Sequence, residues 1–296
     1  MDQEFATWLA RSVGGDHVAA MFKTLGKLAL AATVTAVMQG TALAQAVVST
    51  GQSFVDARLL PGIAQEDGSR MVGLRLSLAD GWKTYWRSPG EAGIPPHLDW
   101  SGSRNLASAQ IHWPRPLVFQ SFGMRTIGYA DQVVLPVHVV ASDPTRPVHL
   151  ALEADFGVCK EICVIERGTL NTEIGPGDRN VGGAQIERAL RRVPVPAAET
   201  GLNTVSCRIM GQGAERRLEA ELYFDDPVAH AEVLVEGTER LWLHSPETRI
   251  EDGAVMVAAV AELPDGVAWV DRSAVRMTVL TDAFAADIQG CRGSNG

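Results

Sequence analysis

Residues 148–166 read "VHLALEADFGVCKEICVIE". Val148, Leu150, Leu152, Ala154 and Phe156 alternate with His149, Glu153 and Asp155, the period of two that marks a half-buried β-strand. Cys159 and Cys163 follow, in a chain with 4 cysteines. In a straight strand, residues four apart lie roughly 13 Å apart, whereas a disulfide needs Cα atoms within about 7 Å. For the two to bond, the chain must fold back between them or take a helical turn, which rises only about 6 Å over four residues. Strand signals on both sides predict a tight hairpin with Lys160, Glu161 and Ile162 at its tip. By strand phase, odd-numbered Cys159 faces away from the apolar set. Leu170, Thr172 and Ile174 form the inward set of the return strand, so Cys163 also points outward. Both sulfurs are therefore expected within reach of solvent.

The same period recurs outward from this hairpin. Val72, Leu74, Leu76 and Leu78 alternate with Gly73, Arg75 and Ser77, and Val133, Leu135, Val137 and Val139 repeat the pattern. Gly/Pro-rich segments separate the strands: "ADGW" at 79–82, "SPGEAGIPP" at 88–96 and "SDPTRP" at 142–147. Short alternating strands with such turns predict an antiparallel β-sandwich. After "GPGDRNVGG" (175–183), Ile186, Ala189, Leu190 and Val193 fit one face of a short helix that prolines stop, read as a linker. Alternation then resumes at Leu218, Ala220, Leu222 and Phe224, at Val233 and Val235, at Leu241 and Leu243, and at Val275, Met277 and Val279. The expected fold is all-β: a sandwich over 46–175, a linker at 176–197, a second, smaller β-sandwich-like domain at 198–291, and a tail at 292–296.

Residues 21–44, "MFKTLGKLALAATVTAVMQGTALA", have a basic start, a short apolar core and Ala42-Leu43-Ala44 before Gln45. That is the layout of a secretory signal peptide cleaved after Ala44. The preceding residues 1–20 carry acids where such a start should be basic, which marks them as a non-native leader with translation beginning at Met21. The apolar run is too short for a membrane span of roughly 20 residues, so the mature chain is expected to be exported. Cleavage removes Arg11, Lys23 and Lys27 with Asp2, Glu4 and Asp16, so the net charge of −9 is unchanged. An acidic chain without a basic run is a poor partner for nucleic acid or anionic lipid.

An oxidising compartment favours disulfides over zinc. Cys207 and Cys291 are isolated in sequence, and His97, His112, His138, His149, His230 and His244 form no pair at ligand spacing, so neither metal nor cofactor is expected. On residue chemistry alone, Cys159 and Cys163 read either as a structural staple, the commoner case in exported β domains, or as an exchanging pair. Lys83 and Lys160 are the lysines beyond residue 44, and Lys160 lies between the cysteines, where a cation favours a thiolate; Glu161 and Asp155 oppose it. Trp82, Trp86, Trp100 and Trp113 read as packing residues. Cys207 and Cys291, near the ends of the second domain, could close it as a disulfide or remain free thiols.

Together, "LADGWKTYWRSPGEAGIPPHLDW" (78–100), "IGYADQVVLPVHV" (127–139) and "DFGVCKEICVIE" (155–166) resemble the amino-terminal periplasmic domain of the thiol:disulfide interchange protein DsbD. They resemble most its variant in ScsB-like suppressors of copper sensitivity, over roughly 46–175, and the second β domain resembles the further exported domain of those proteins. The resemblance implies an immunoglobulin-like sandwich in which Cys159 and Cys163 are the redox pair. This pair would receive electrons from a membrane-embedded thiol carrier and pass them to oxidised periplasmic proteins, thioredoxin-fold proteins among them. It further implies that Phe119 or Phe122, in "VFQSFGMRTIGY", caps the pair and that Tyr85 lies beside it. By the same resemblance Cys163 contacts partners and Cys159 resolves.

The chain departs from the family in three respects. Acids expected before the cap are replaced by Arg115-Pro116-Leu117-Val118, a proline after the second cysteine by Val164-Ile165, and the membrane and thioredoxin-like domains of the full-length protein are missing. Two other classes remain open: an exported immunoglobulin-like binding module with an inert disulfide, and a copper-handling accessory protein. Copper(I) favours soft thiolate and thioether ligands, and the sequence shows no Met/His/Cys cluster.

Overall fold

The computed structural model describes residues 46–48, 53–121, 123–178, 180–211, 215–237, 242–263 and 271–293. The leader at 1–20, the signal peptide at 21–44 with its cleavage point, and Phe122 lie outside the described residues.

Eleven strands build the first sandwich: β1 (Ala46–Val48), β2 (Val55–Ala64), β3 (Arg70–Leu78), β4 (Lys83–Gly90), β5 (His97–Asp99), β6 (Leu106–Ile111), β7 (Leu117–Ser121), β8 (Met124–Ala130), β9 (Gln132–Ala141), β10 (Val148–Cys159) and β11 (Cys163–Ile174). One sheet runs β1-β11-β10-β4-β8-β7, with β5 pairing to β10; the other runs β2-β3-β9-β6. All pairings within the two sheets are antiparallel. Their inner faces meet in one core that includes Leu74, Leu76, Leu135, Val137, Leu150, Leu152 and Phe156. Trp82 and Trp86 are buried in it, while Trp100 and Trp113 pack against its margin. Each fully buried Leu or Val here stabilises the fold by about 1.5–3 kcal/mol.

A helix, α1 (Gly183–Leu190), follows. It buries Ile186 and Ala189 against Met71 and Val134, on the outer face of β3 and β9. Gly73 lies under it: an ideal Cβ at this position would come within 2.9 Å of the Ile186 side chain. Helix and sheet could not approach so closely over a larger residue. The connection between the sandwiches is thus docked on the first one.

The second sandwich comprises β12 (Val195–Pro196), β13 (Leu202–Met210), β14 (Glu215–Phe224), β15 (Ala231–Glu236), β16 (Trp242–Glu251), β17 (Ala254–Glu262), β18 (Arg276–Thr281), β19 (Ala285–Gln289) and β20 (Arg292–Gly293). Its sheets run β12-β19-β18-β15 and β16-β17-β14-β13-β20, around a core that includes Leu218, Leu222, Val233, Val257, Met277 and Val279.

Residues 42–296 form one compact unit, because the outer face of β15 and β18 is not left to water. Leu234 and Leu280 are 1% and 5% exposed and belong to the core of the first sandwich. Three arginines ring this contact. Arg87 on β4 grips Glu236 through two hydrogen bonds of 2.8 Å. Arg125 on β8 pairs with Glu232, and Arg115 donates to the carbonyls of Thr281 (2.5 Å) and Phe284 (3.2 Å). Arg115 stands where the resemblance led one to expect an acid; here it links the sandwiches.

Candidate functional site

The chain folds back between the cysteines as a tight hairpin. Cys159 and Cys163 end β10 and begin β11, are direct cross-strand partners, and are joined in a disulfide with Cα atoms 4.1 Å apart. The turn is closed by the Lys160 amide donating to the Ile162 carbonyl at 3.0 Å.

The two sulfurs do not share one environment. Cys163 is exposed, whereas Cys159 is only 7% exposed, which corrects the expectation that both point into solvent. Alternation holds along most of β10, but Phe156, Gly157, Val158 and Cys159 are buried in succession. At this end both faces of the strand are covered. Val158 enters the core, and the opposite face lies under Tyr85 and the 88–96 loop. Gly157 permits that cover: an ideal Cβ there would come within 2.6 Å of the Ile94 Cβ and 3.0 Å of the Tyr85 ring.

Strand β4 brings the cover into place. Val158 pairs with Thr84 and Cys159 with Lys83, and the buried Thr84 hydroxyl donates to the Gly157 carbonyl at 2.9 Å. Lys83 and Tyr85 therefore lie on the same face as Cys159. The Tyr85 hydroxyl sits 2.7 Å from Cys159 Sγ and 3.6 Å from Cys163 Sγ. A disulfide sulfur carries no hydrogen, so the hydroxyl is the donor. Burial pushes the Tyr85 phenol above its ordinary pKa, so the proton stays on oxygen.

Phe119 reaches this face by register. It pairs with Thr126, Gly128 pairs with Tyr85, and Ala130 with Lys83, so all share one side of the sheet. The Lys83 ammonium lies 4.3 Å from the Phe119 ring centroid, a cation–π contact. Lys160 leans over Gly81, its Cε 3.0 Å from where a Cβ would stand. The two lysines beyond residue 44 thus both border the disulfide. Leu117 (47%), Met124 (40%), Ile162 (63%) and Ile165 (47%), on the β7–β8 hairpin and the cysteine hairpin, are exposed apolar residues.

Cys207 and Cys291 form a second disulfide, with Cα atoms 5.9 Å apart. Cys207 is 1% exposed within the second core. Among the described residues no group of three or more His, Cys, Asp or Glu converges as a metal site would require, and no helix is long and apolar enough to cross a membrane.

Sequence reasoning missed Ile94 and Thr84 as parts of the site. The 88–96 loop reads as ordinary turn chemistry, and only the unbroken buried run at the end of β10 hints that something covers it. Arg87 and Arg125 also escaped notice, since single surface arginines carry no pattern.

A β-sandwich with a disulfide at a hairpin tip, one sulfur exposed and the other under a tyrosine hydroxyl, has the arrangement expected of a thiol–disulfide exchange domain. Residues 56–173 match the family model for "Thiol:disulfide interchange protein DsbD, N-terminal", and this matched stretch contains Cys159–Cys163 as a Cys-x3-Cys pair. The chain is also similar to the crystal structure of the N-terminal periplasmic domain of ScsB from Proteus mirabilis. That match has a TM-score of 0.67 and 22% identity, covering 84% of this chain and 98% of the other, so the likeness of fold extends over both sandwiches. No curated protein matches the sequence significantly.

Proposed function

We propose that this protein is a periplasmic electron carrier. It accepts electrons from a membrane-embedded thiol carrier and passes them to oxidised exported proteins, including those of thioredoxin fold. Residues 46–175 form the redox domain, and 198–291 a second domain that braces it through 176–197.

The observation that carries this reading is the asymmetry of the pair: Cys163 is exposed and Cys159 is buried beside Tyr85. Exchange requires a sulfur that an incoming thiolate can approach in line, which the open Cys163 offers, and exposed disulfides tend to be the labile ones. In the forward direction the Cys163 thiolate attacks a substrate disulfide and forms a mixed disulfide. Cys159 then attacks Cys163, releasing the reduced substrate and restoring the Cys159–Cys163 bond. Phe119 shields the pair beside a fixed Tyr85 until a partner displaces its ring, a gating role.

The test is the reduction potential of the pair. The protein is equilibrated in graded thiol buffers, free thiols are trapped, and each cysteine is assigned by peptide mass. A value between roughly −180 and −270 mV, the range of exchange proteins, supports the reading; one below about −300 mV marks a structural disulfide and overturns it.

A further inference from the structure

We infer that the Tyr85 hydroxyl is the hydrogen-bond donor that stabilises the Cys159 sulfur as leaving group when a thiolate attacks Cys163. The inference rests on the exchange reading above and assigns its chemistry to atoms.

Attack at Cys163 Sγ forms a new S–S bond to the incoming sulfur and breaks the Cys163–Cys159 bond. The electron pair of that bond stays on Cys159 Sγ, which becomes a thiolate. Cys159 is 7% exposed, so water cannot solvate the charge that develops there. Its sheet partner on β4 is Lys83, whose ammonium is engaged at 4.3 Å by the Phe119 ring. The described polar group directly on the sulfur is the Tyr85 hydroxyl at 2.7 Å, already aimed before the charge appears.

Several features hold the hydroxyl in place. Tyr85 is 6% exposed; its ring lies across Gly157 and Gly93, at 3.0 and 2.9 Å from their ideal Cβ positions, and its backbone pairs with Gly128. A donor fixed in this way needs no reorganisation as the bond breaks, the economy of an oxyanion hole applied to sulfur. The raised phenol pKa keeps the hydroxyl protonated through the working range. The hydroxyl is nearer to Cys159 than to Cys163 by 0.9 Å (3.6 against 2.7 Å), which polarises the disulfide toward departure of Cys159. In reverse, the same bond keeps Cys159 a thiolate while it waits to resolve the mixed disulfide.

The experiment uses the full mature chain with dithiothreitol as the attacking thiol. One thiolate of dithiothreitol opens the Cys159–Cys163 bond at Cys163, and its second thiol displaces Cys163 and closes the oxidised ring. The rate, followed by tryptophan fluorescence, is expected to fall about 10- to 100-fold in Tyr85→Phe, the loss of one hydrogen bond to a charged group. In the single-thiol Cys163→Ala protein, Tyr85→Phe should also raise the Cys159 thiol pKa by about one unit or more, read by thiolate absorbance. A purely structural role for Tyr85 would not move that titration. If Tyr85→Phe does not fold, 3-fluorotyrosine at position 85 keeps the shape and strengthens the donor, and the Cys159 pKa should fall. Unchanged rate and pKa would overturn the inference while leaving exchange intact. A wild-type disulfide that resists dithiothreitol would overturn the exchange reading itself.

Discussion

Removing the Arg87–Glu236 pair should uncouple the two sandwiches. The side chains are 17% and 12% exposed and meet through two hydrogen bonds of 2.8 Å, with Thr278 Oγ1 a further acceptor at 3.4 Å. Exposed pairs contribute about 0–1 kcal/mol, and breaking a fully buried one costs about 3–5 kcal/mol. Two features place this pair between those limits. The guanidinium also stacks at 4.0 Å on the Trp86 ring, which a methionine would partly replace. Glu236 also feels the Arg276 cation, so it would not be left wholly uncompensated. We therefore expect Arg87→Met to lose about 2 kcal/mol. A double-mutant cycle with Glu236→Gln should give a coupling energy of similar size. The assay is urea unfolding followed by tryptophan fluorescence and far-UV circular dichroism. Wild type should show coincident transitions, and the variants should begin to separate them. A coupling energy under about 0.5 kcal/mol, the range of exposed pairs, with coincident transitions in every variant, would refute the reasoning.

Three further outcomes are expected. Gly157→Ala forces a methyl group to 2.6 Å from the Ile94 Cβ, so it should cost about 1–3 kcal/mol by overpacking and speed alkylation of Cys159 in the reduced protein; unchanged alkylation would mean that the 88–96 loop does not seal the buried sulfur. Replacing Cys207 and Cys291 together by serine opens a link of sequence separation 84 and should lower stability by about 2–4 kcal/mol while leaving the dithiothreitol rate at Cys159–Cys163 unchanged. His112 is held below its ordinary pKa of 6.5, first by burial and then by the neighbouring His138 charge. A depressed histidine favours the fold while neutral, so its contribution is whole above 6.5 and drains away as pH falls from there toward its lower folded value. His112→Gln should flatten the stability profile in that window, and an unchanged slope would count against a half-buried imidazole held below its ordinary pKa.

The sandwiches were legible where one face of a strand is wet. Leu150, Leu152 and Ala154 are set against His149, Glu153 and Asp155, and they are buried. The spacing of Cys159 and Cys163 demanded a reversal between them, and the hairpin supplies it. Period-two reading failed where both faces are covered. At Phe156–Cys159 the outer face is roofed by Tyr85 and Ile94, residues that lie far away in sequence. Likewise, Val233-Leu234-Val235 is an unbroken apolar run because Val233 and Val235 serve one core while Leu234 serves the other. Such runs are the signature of a strand buried on both sides, yet they do not say what lies on the second side. The arginine contacts were illegible for a different reason: their partners, Glu236, Glu232 and the Thr281 carbonyl, acquire meaning only when the sandwiches meet.

The placement of Lys83 and Lys160 has a practical consequence. Beyond residue 44 the chain has no other primary amine on a side chain, and both ammonium groups border the Cys159–Cys163 hairpin. An amine-reactive dye or crosslinker used on a chain prepared to begin at Gln45 would thus mark this one edge of the molecule and the amino terminus. It would report on any macromolecule that settles over the cysteines, with no residue introduced for the purpose.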